Sequence, residues 1–189
     1  MDRKPLEILI IEDNIGDAVL ISDMLDDMGL SIHTTVVKDG SAALDRLGKV
    51  VQSRVPLPDF VILDLNLPKV HGFDVLAYMK ATPELSSVPV VVMTGSLNRE
   101  DETKARGMGV TDYCSKPSTV EEMDDTIACL RRQLDNLMQI DRKKGSGGPS
   151  ALLANVLTDH EAGIQPSLPS RGELYFDHVF DIDPWNIWK

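Results

Sequence analysis

The chain has 189 residues, room for one domain of ordinary size plus an appendage and too little for a second enzyme domain. With 19 Lys+Arg against 30 Asp+Glu, its formal charge of -11 argues against DNA or RNA as a partner. Two cysteines, Cys114 and Cys129, make neither a disulfide framework nor a zinc spacing, and no apolar run approaches the roughly 20 residues of a membrane span, so the sequence reads as a reducing, cytoplasmic protein with no membrane segment.

In chain order, short apolar runs alternate with amphipathic stretches. The first strand is expected at 7–11, followed by a helix at 17–28 whose Ala18, Ile21, Leu25 and Met28 share one stripe before Gly29 ends it. A second strand at 32–37 leads to a helix at 41–51 carrying Ala43, Leu44, Leu47 and Val51, closed by the Pro56-Leu57-Pro58 turn. A third strand at 60–63 precedes a helix at 72–81 with Pro83 beyond it. A fourth strand at 90–93 precedes a helix at 98–105 with Gly107 and Gly109 after it. The short fifth strand, 112–114, leads to the longest helix. Ser118 is its expected N-cap, with Glu121 completing a capping box, and Val120, Met123, Ile127, Leu130, Leu134 and Leu137 recur at alternating spacings of three and four.

Strand and helix repeated five times predict an α/β domain, a doubly wound, mostly parallel sheet with helices on both faces. Ligands of such sheets collect beyond the carboxyl ends of the strands. Those ends carry Glu12-Asp13-Asn14, Asp64-Leu65-Asn66, Thr94-Gly95-Ser96 and Ser115-Lys116-Pro117. Any one of them has an ordinary reading as a helix cap, a turn or a solvated charge. Three carboxylates, a hydroxyl and an ammonium on one edge instead suit a small hard cation such as Mg2+ together with a phosphoryl group.

Glu12-Asp13, Asp64, Thr94 and Lys116-Pro117, in that order at strand ends, resemble the receiver domain of two-component response regulators over about residues 5–140. The strings Glu12-Asp13-Asn14, with Asp17 beyond, and Leu63-Asp64-Leu65-Asn66-Leu67-Pro68-Lys69 further resemble the single-domain regulators of phytochrome-type sensor kinases. The resemblance implies a flavodoxin-like receiver fold with strand order 2-1-3-4-5 and a role in a phosphorelay. Asp64 would be the phosphoacceptor, attacking the phosphohistidine of a sensor histidine kinase. Asp13, Asp64 and the backbone carbonyl of Asn66 would hold Mg2+, with Glu12 acting through a water. Thr94 and Lys116 would contact the phosphoryl group, the bond before Pro117 being cis. Tyr113 would rotate inward when Thr94 moves, and Asn66 and Ser96 would tune autodephosphorylation. Any enzymatic activity would be self-phosphorylation from phosphodonors and autodephosphorylation. One departure stands out: the family's Pro-x-x-Asp-Gly is here Pro68-Lys69-Val70-His71-Gly72, where His71 reads as an exposed cap or a partner contact. Cys114 reads as a small buried core residue.

The chain divides into a receiver domain at 1–144, a Gly/Ser-rich linker at 145–150 and an acidic tail at 151–189. Five of the nine aromatics lie in the tail, and Phe176, Phe180, Trp185 and Trp188 are spaced to dock a partner, which the sequence does not identify. The linker and tail read equally as an engineered fusion, making the chain a receiver carrying a recognition peptide as a scaffold. A phosphatase-like hydrolase is disfavoured because Asp64-Leu65-Asn66 lacks the second acid of an Asp-x-Asp nucleophile, and the tail has no helix-turn-helix pattern. The long last helix continues far enough to support a homodimer.

Overall fold

The computed structural model describes residues 4–95 and 98–145, so Ser96 and the tail lie outside the described residues. The elements are β1 (Leu6–Ile11), α1 (Ile15–Asp26), β2 (Ile32–Val37), α2 (Gly40–Val51), β3 (Phe60–Leu63), α3 (Gly72–Ala81), α4 (Pro83–Ser86), β4 (Val90–Thr94), α5 (Arg99–Gly107), β5 (Asp112–Ser115) and α6 (Val120–Gly145). All five strands are parallel, in the order β2-β1-β3-β4-β5. The expected doubly wound sheet is therefore present, with the fourth and fifth expected helices as α5 and α6.

Successive strand residues face opposite sides, and in the three inner strands both sides are buried. Ile8, Ile10, Phe60, Ile62, Val91 and Met93 meet Ile21, Met24 and Leu25 of α1 and Leu130 and Leu134 of α6. Leu9, Ile11, Val61, Leu63, Val90 and Val92 meet Ala43 and Leu47 of α2, Phe73, Leu76 and Met79 of α3, and Ala105 of α5. This two-sided burial explains why the inner strands read as continuous apolar runs. The edge strand β2 leaves His33 and Val36 exposed and keeps its polar residues.

Caps set the helix starts. Asn14 Oδ1 accepts the Gly16 and Asp17 amides at 2.8 and 3.3 Å, so α1 begins at Ile15, two residues before the expected boundary. Such a cap contributes about 1 kcal/mol. Asp39 Oδ1 accepts the Ala42 amide at 2.8 Å and opens α2, while its Oδ2 lies 2.7 Å from Lys69 Nζ. His71 Nδ1 accepts the Phe73 amide at 3.4 Å and its ring stacks on Phe73, so the histidine does cap α3.

Four expectations are corrected. The capping box of α6 sits one residue later than Ser118 and Glu121. Because the helix begins at Val120, it is Thr119 Oγ1 that accepts the Glu122 amide, and the Glu122 carboxylate receives both the amide and the hydroxyl of Ser118 at 2.7 Å. The helical turn α4 was not expected; Pro83, read as a stop, occupies its first turn, where a missing N–H costs nothing. The Lys116–Pro117 bond is trans, the isomer that X–Pro bonds ordinarily prefer. Finally, Cys114 is buried but not free: it is bonded to Cys129, because α6 returns along β5 and brings the two sulfurs together.

Candidate functional site

The register of the sheet builds the site. Ile11 pairs with Leu63 and Thr94 with Ser115, so Glu12-Asp13, Asp64, Thr94 and Lys116 emerge side by side from four strands. The chain crosses from β2 on one side of β1 to β3 on the other, which makes the space above β1 and β3 the switch point of the sheet.

Asp64 is 5% exposed. Its Oδ1 accepts the Asn66 amide at 3.1 Å, an Asx turn that fixes the carboxylate, and its Oδ2 lies 2.7 Å from Lys116 Nζ. Lys116 reaches from the end of β5 across β4 and β3: the same ammonium is 2.7 Å from Glu12 Oε2 and 2.9 Å from Asp17 Oδ2. Burial alone would lower the lysine pKa, but the hydrogen bonds to Asp64 and Asp17 and the ion pair with Glu12 outweigh it and hold Lys116 firmly protonated. Glu12 is 1% exposed, and burial pushes its carboxyl above the ordinary value despite Lys116. Its Oε1 accepts the Asn14 amide at 3.1 Å. Oε2 is different, because the ammonium beside it attracts by charge without the alignment of a hydrogen bond, leaving a buried oxygen with no aligned donor.

A cation fits these residues. Glu12, Asp13 and Asp64 place oxygens within 4.8 Å of one another. At an effective dielectric constant of about 20, two unit charges at that distance repel by about 3 kcal/mol, and Lys116 brings a single positive charge to four carboxylates counting Asp17, which leaves room for a further cation. Exposed Asp13, buried Asp64 and the unaligned Glu12 oxygen form the hard-oxygen donor set that a small divalent ion takes while keeping several waters.

Thr94 is fully buried, and its Oγ1 receives Asn66 Nδ2 at 3.4 Å, which links the hydroxyl to the Asp64 turn. The Lys116 amide donates to the Thr94 carbonyl at 3.0 Å and joins the ends of β4 and β5. Tyr113 is half-buried against the core on the α2, α3 and α5 side, and burial, with Asp101, Glu102 and Asp64 nearby, raises its phenol pKa. Gly72 closes the site from below. Its amide donates to the Leu65 carbonyl at 2.9 Å, and a Cβ there would collide with the Asp64 carbonyl oxygen and stand 2.6 Å from the Leu65 Cα. The glycine is needed for close approach, whereas His71 before it caps α3 through its ring nitrogen. The structure thus gathers Glu12, Asp13, Asp64, Asn66, Thr94 and Lys116 as expected. It adds Asp17, for which the signal was a carboxylate in the first turn of a helix capped by Asn14.

Residues 8–128 match the response regulator receiver domain family. The chain is 37% identical over 123 residues to the probable methanogenesis regulatory protein FilR2 of Methanothrix harundinacea, covering 65% of this chain and 79% of that protein. It is 34% identical over 122 residues to the response regulator Rcp1 of Synechocystis, covering 63% and 82%. The crystal structure of the Mn(2+)-bound form of Rcp1 superposes with a TM-score of 0.61 at 32% identity, over 65% of this chain and 89% of that one. The phosphorylated cyanobacterial phytochrome response regulator RcpA gives a TM-score of 0.62 at 30% identity, over 67% and 91%. A five-stranded sheet in this order, with an acid pair, a buried aspartate, a hydroxyl and a lysine at its strand ends, is accounted for by that match: the chain belongs to the response regulator receiver domain family and is similar to the phytochrome response regulators.

Proposed function

We propose that Asp64 accepts a phosphoryl group from a sensor histidine kinase, of phytochrome type, and that the resulting acyl phosphate switches protein–protein interactions. The observation that carries this reading is the setting of Asp64, a buried carboxylate pinned by the Asn66 amide and held against Lys116 at the switch point of the sheet. A carboxylate oxygen of Asp64 attacks phosphorus as the phosphorus–nitrogen bond of the donor breaks, its electron pair leaving with the imidazole. Lys116 stays protonated and meets the charge of the phosphoryl oxygens, and Thr94 donates its hydroxyl to the same group. Mg2+ would be held by Asp13, Asp64 and the Asn66 carbonyl, with Glu12 through water. When bound it supplies the positive charge that four crowded carboxylates and an incoming phosphate require. Asn66 and Ser96 would set the autodephosphorylation rate.

The donor's approach is supported by the surface beside the acids. Ile15 and Val19 on α1 are 64% and 53% exposed and, with Val36, line a groove of about 310 Å³ that continues to Glu12. An apolar helix of the kinase presenting its histidine would cover that face. The division of the chain between Lys144 and Gly145 supports a receiver at 1–144, after which the linker would occupy 145–150 and the tail 151–189. The tail would dock a partner through Phe176, Phe180, Trp185 and Trp188, and α6 would support a homodimer. The test is labelling by acetyl phosphate with Mg2+: one base-labile phosphoryl group is expected on the parent and none on Asp64→Asn. Retained labelling of that variant would falsify the assignment. Removal of Mg2+ by chelation is expected to abolish labelling.

A further inference from the structure

We propose that Cys114 and Cys129 form a reversible thiol–disulfide site that takes a hydroperoxide as its oxidant and clamps α6 to the edge strand β5. The register of the seam carries the inference. Asp112 and Cys114 are two apart on β5 and so face the same side, and α6 runs back along them. Thr126 Oγ1 donates to the Ser115 carbonyl at 3.4 Å, Cys129 is bonded to Cys114, and Gln133 Nε2 donates to Asp112 Oδ2 at 2.9 Å. Thr126, Cys129 and Gln133 form their own helical stripe, beside the apolar stripe of Leu130 and Leu134 that packs on the sheet. The cysteines therefore meet at the middle of a matched polar seam, with a partnered contact on either side.

The two cysteines also border a groove. Both line an open groove of about 390 Å³ between β5 and α6 that Glu122, Asp125 and Arg132 flank. Cys129 is half-buried while Cys114 is 9% exposed, which assigns Cys129 as the attacking sulfur and Cys114 as the resolving one. The Cys129 thiol faces Asp112 Oδ2 at 3.6 Å, and Arg132, paired with the same oxygen at 2.6 Å, offsets the carboxylate's charge beside it. Asp112, Cys114 and Cys129 also place three donor atoms within 4.8 Å of one another, a set that in number suits a soft cation. Asp112 is already engaged, however: Arg132 Nη2 lies 2.6 Å and Gln133 Nε2 2.9 Å from its Oδ2, and its Oδ1 accepts the Tyr113 amide at 2.9 Å with Arg106 Nη2 3.6 Å away. Two guanidiniums around the one carboxylate favour sulfur–sulfur chemistry over metal.

The step balances with hydrogen peroxide. The Cys129 thiolate attacks one peroxide oxygen, the oxygen–oxygen bond breaks, and hydroxide leaves to be protonated to water, giving a sulfenic acid on Cys129. The Cys114 sulfur attacks that sulfenic sulfur, forming the disulfide and expelling a second hydroxide, which leaves as water. The two thiols have lost two protons and two electrons, and peroxide has become two waters. A dithiol reverses the change by exchange and is itself oxidised to a disulfide.

The reduced full-length chain treated with hydrogen peroxide, alkylated and weighed intact, is expected to lose both thiols together. Its mass should fall by two hydrogens while it stays a single chain, and dithiothreitol should restore it. Amide exchange over residues 126–133 is expected to be slower in the oxidised form. Cys129→Ser is expected to keep Cys114 alkylatable on unfolding and to show no redox-dependent exchange. Persistent alkylation of both thiols in the parent, added oxygens in place of lost hydrogens, a bond between chains, stoichiometric zinc that shields the thiols, or equal exchange in both forms would overturn the proposal. None of these outcomes depends on Asp64 or on phosphorylation.

Discussion

Burial opposes a charge on the Glu12 carboxyl. Burial raises its pKa above the ordinary 4.5, more than the ammonium of Lys116 beside it lowers it. An acid whose folded pKa exceeds its unfolded value contributes stability below the unfolded value and loses it as the pH rises through the folded one. Glu12→Gln is therefore expected to unfold at a higher temperature than the parent at pH 7 without divalent metal, with the difference closing below about pH 4.5. Thermal denaturation across that range checks it, and a variant less stable at pH 7 would contradict the sign. Lys116 has the same direction of shift and the opposite effect: as a base it stabilises the fold across the physiological range and loses that contribution only at strongly alkaline pH. The Thr94 hydroxyl reaches the Asp64 turn through Asn66 and its carbonyl accepts the Lys116 amide, an arrangement that supports a role in transmission more than in acceptance. Thr94→Ala is expected to label with acetyl phosphate but not to change partner affinity or self-association, measured side by side with the parent.

Among the elements, the connection from β3 into α3 is the most tightly constrained. Lys69 takes a left-handed φ of 67° while the Val70 amide bonds back to the Pro68 carbonyl at 2.9 Å, a tight three-residue turn. Gly72 then presses α3 against the Asp64 backbone. Gly72→Ala is expected to destabilise the fold by about 1–3 kcal/mol, as other overpacked sites do, and to slow labelling of Asp64. Denaturant unfolding and the labelling rate measure the two effects. Much at this scale was legible from the sequence, since two-sided burial writes itself as unbroken runs in β1, β3 and β4 and the apolar stripe of α6 writes itself as alternating spacings. Boundaries set by one side chain were less legible: Asn14 opens α1 earlier than the apolar stripe implies, and Thr119 takes the cap that Ser118 resembled. The meeting of the strand-end acids with Lys116 was legible, but two other contacts between distant residues were not. Asp17 meets Lys116 across 99 positions, and Cys129 meets Cys114 only because α6 turns back along β5.

For the whole molecule, the described residues contain their own two cores, and among them no helix is long and apolar enough to cross a membrane. A chain ending at Lys144 is thus expected to fold and to label on Asp64 like the full chain, read by circular dichroism and acetyl phosphate labelling. Sedimentation at micromolar concentration tests the α6 homodimer, since a monomer both with and without phosphorylation would remove it.

The sheet that separates the two cores also separates their energetics. Leu47 lies in one cluster and Leu134 in the other, and no side chain can belong to both, because each inner-strand residue faces one side only. Substitutions on opposite faces should therefore behave as independent perturbations. Leu47→Ala and Leu134→Ala are each expected to cost about 2–5 kcal/mol, and the double variant to lose their sum within about 0.5 kcal/mol. Leu25→Ala with Leu134→Ala, which share a cluster, should depart from the sum, and a double-mutant cycle in denaturant would measure the difference. Such a domain can accumulate changes under α2 and α3 without altering the tolerance for changes beneath α1 and α6, so the two faces are free to drift separately while the strand ends between them stay in place.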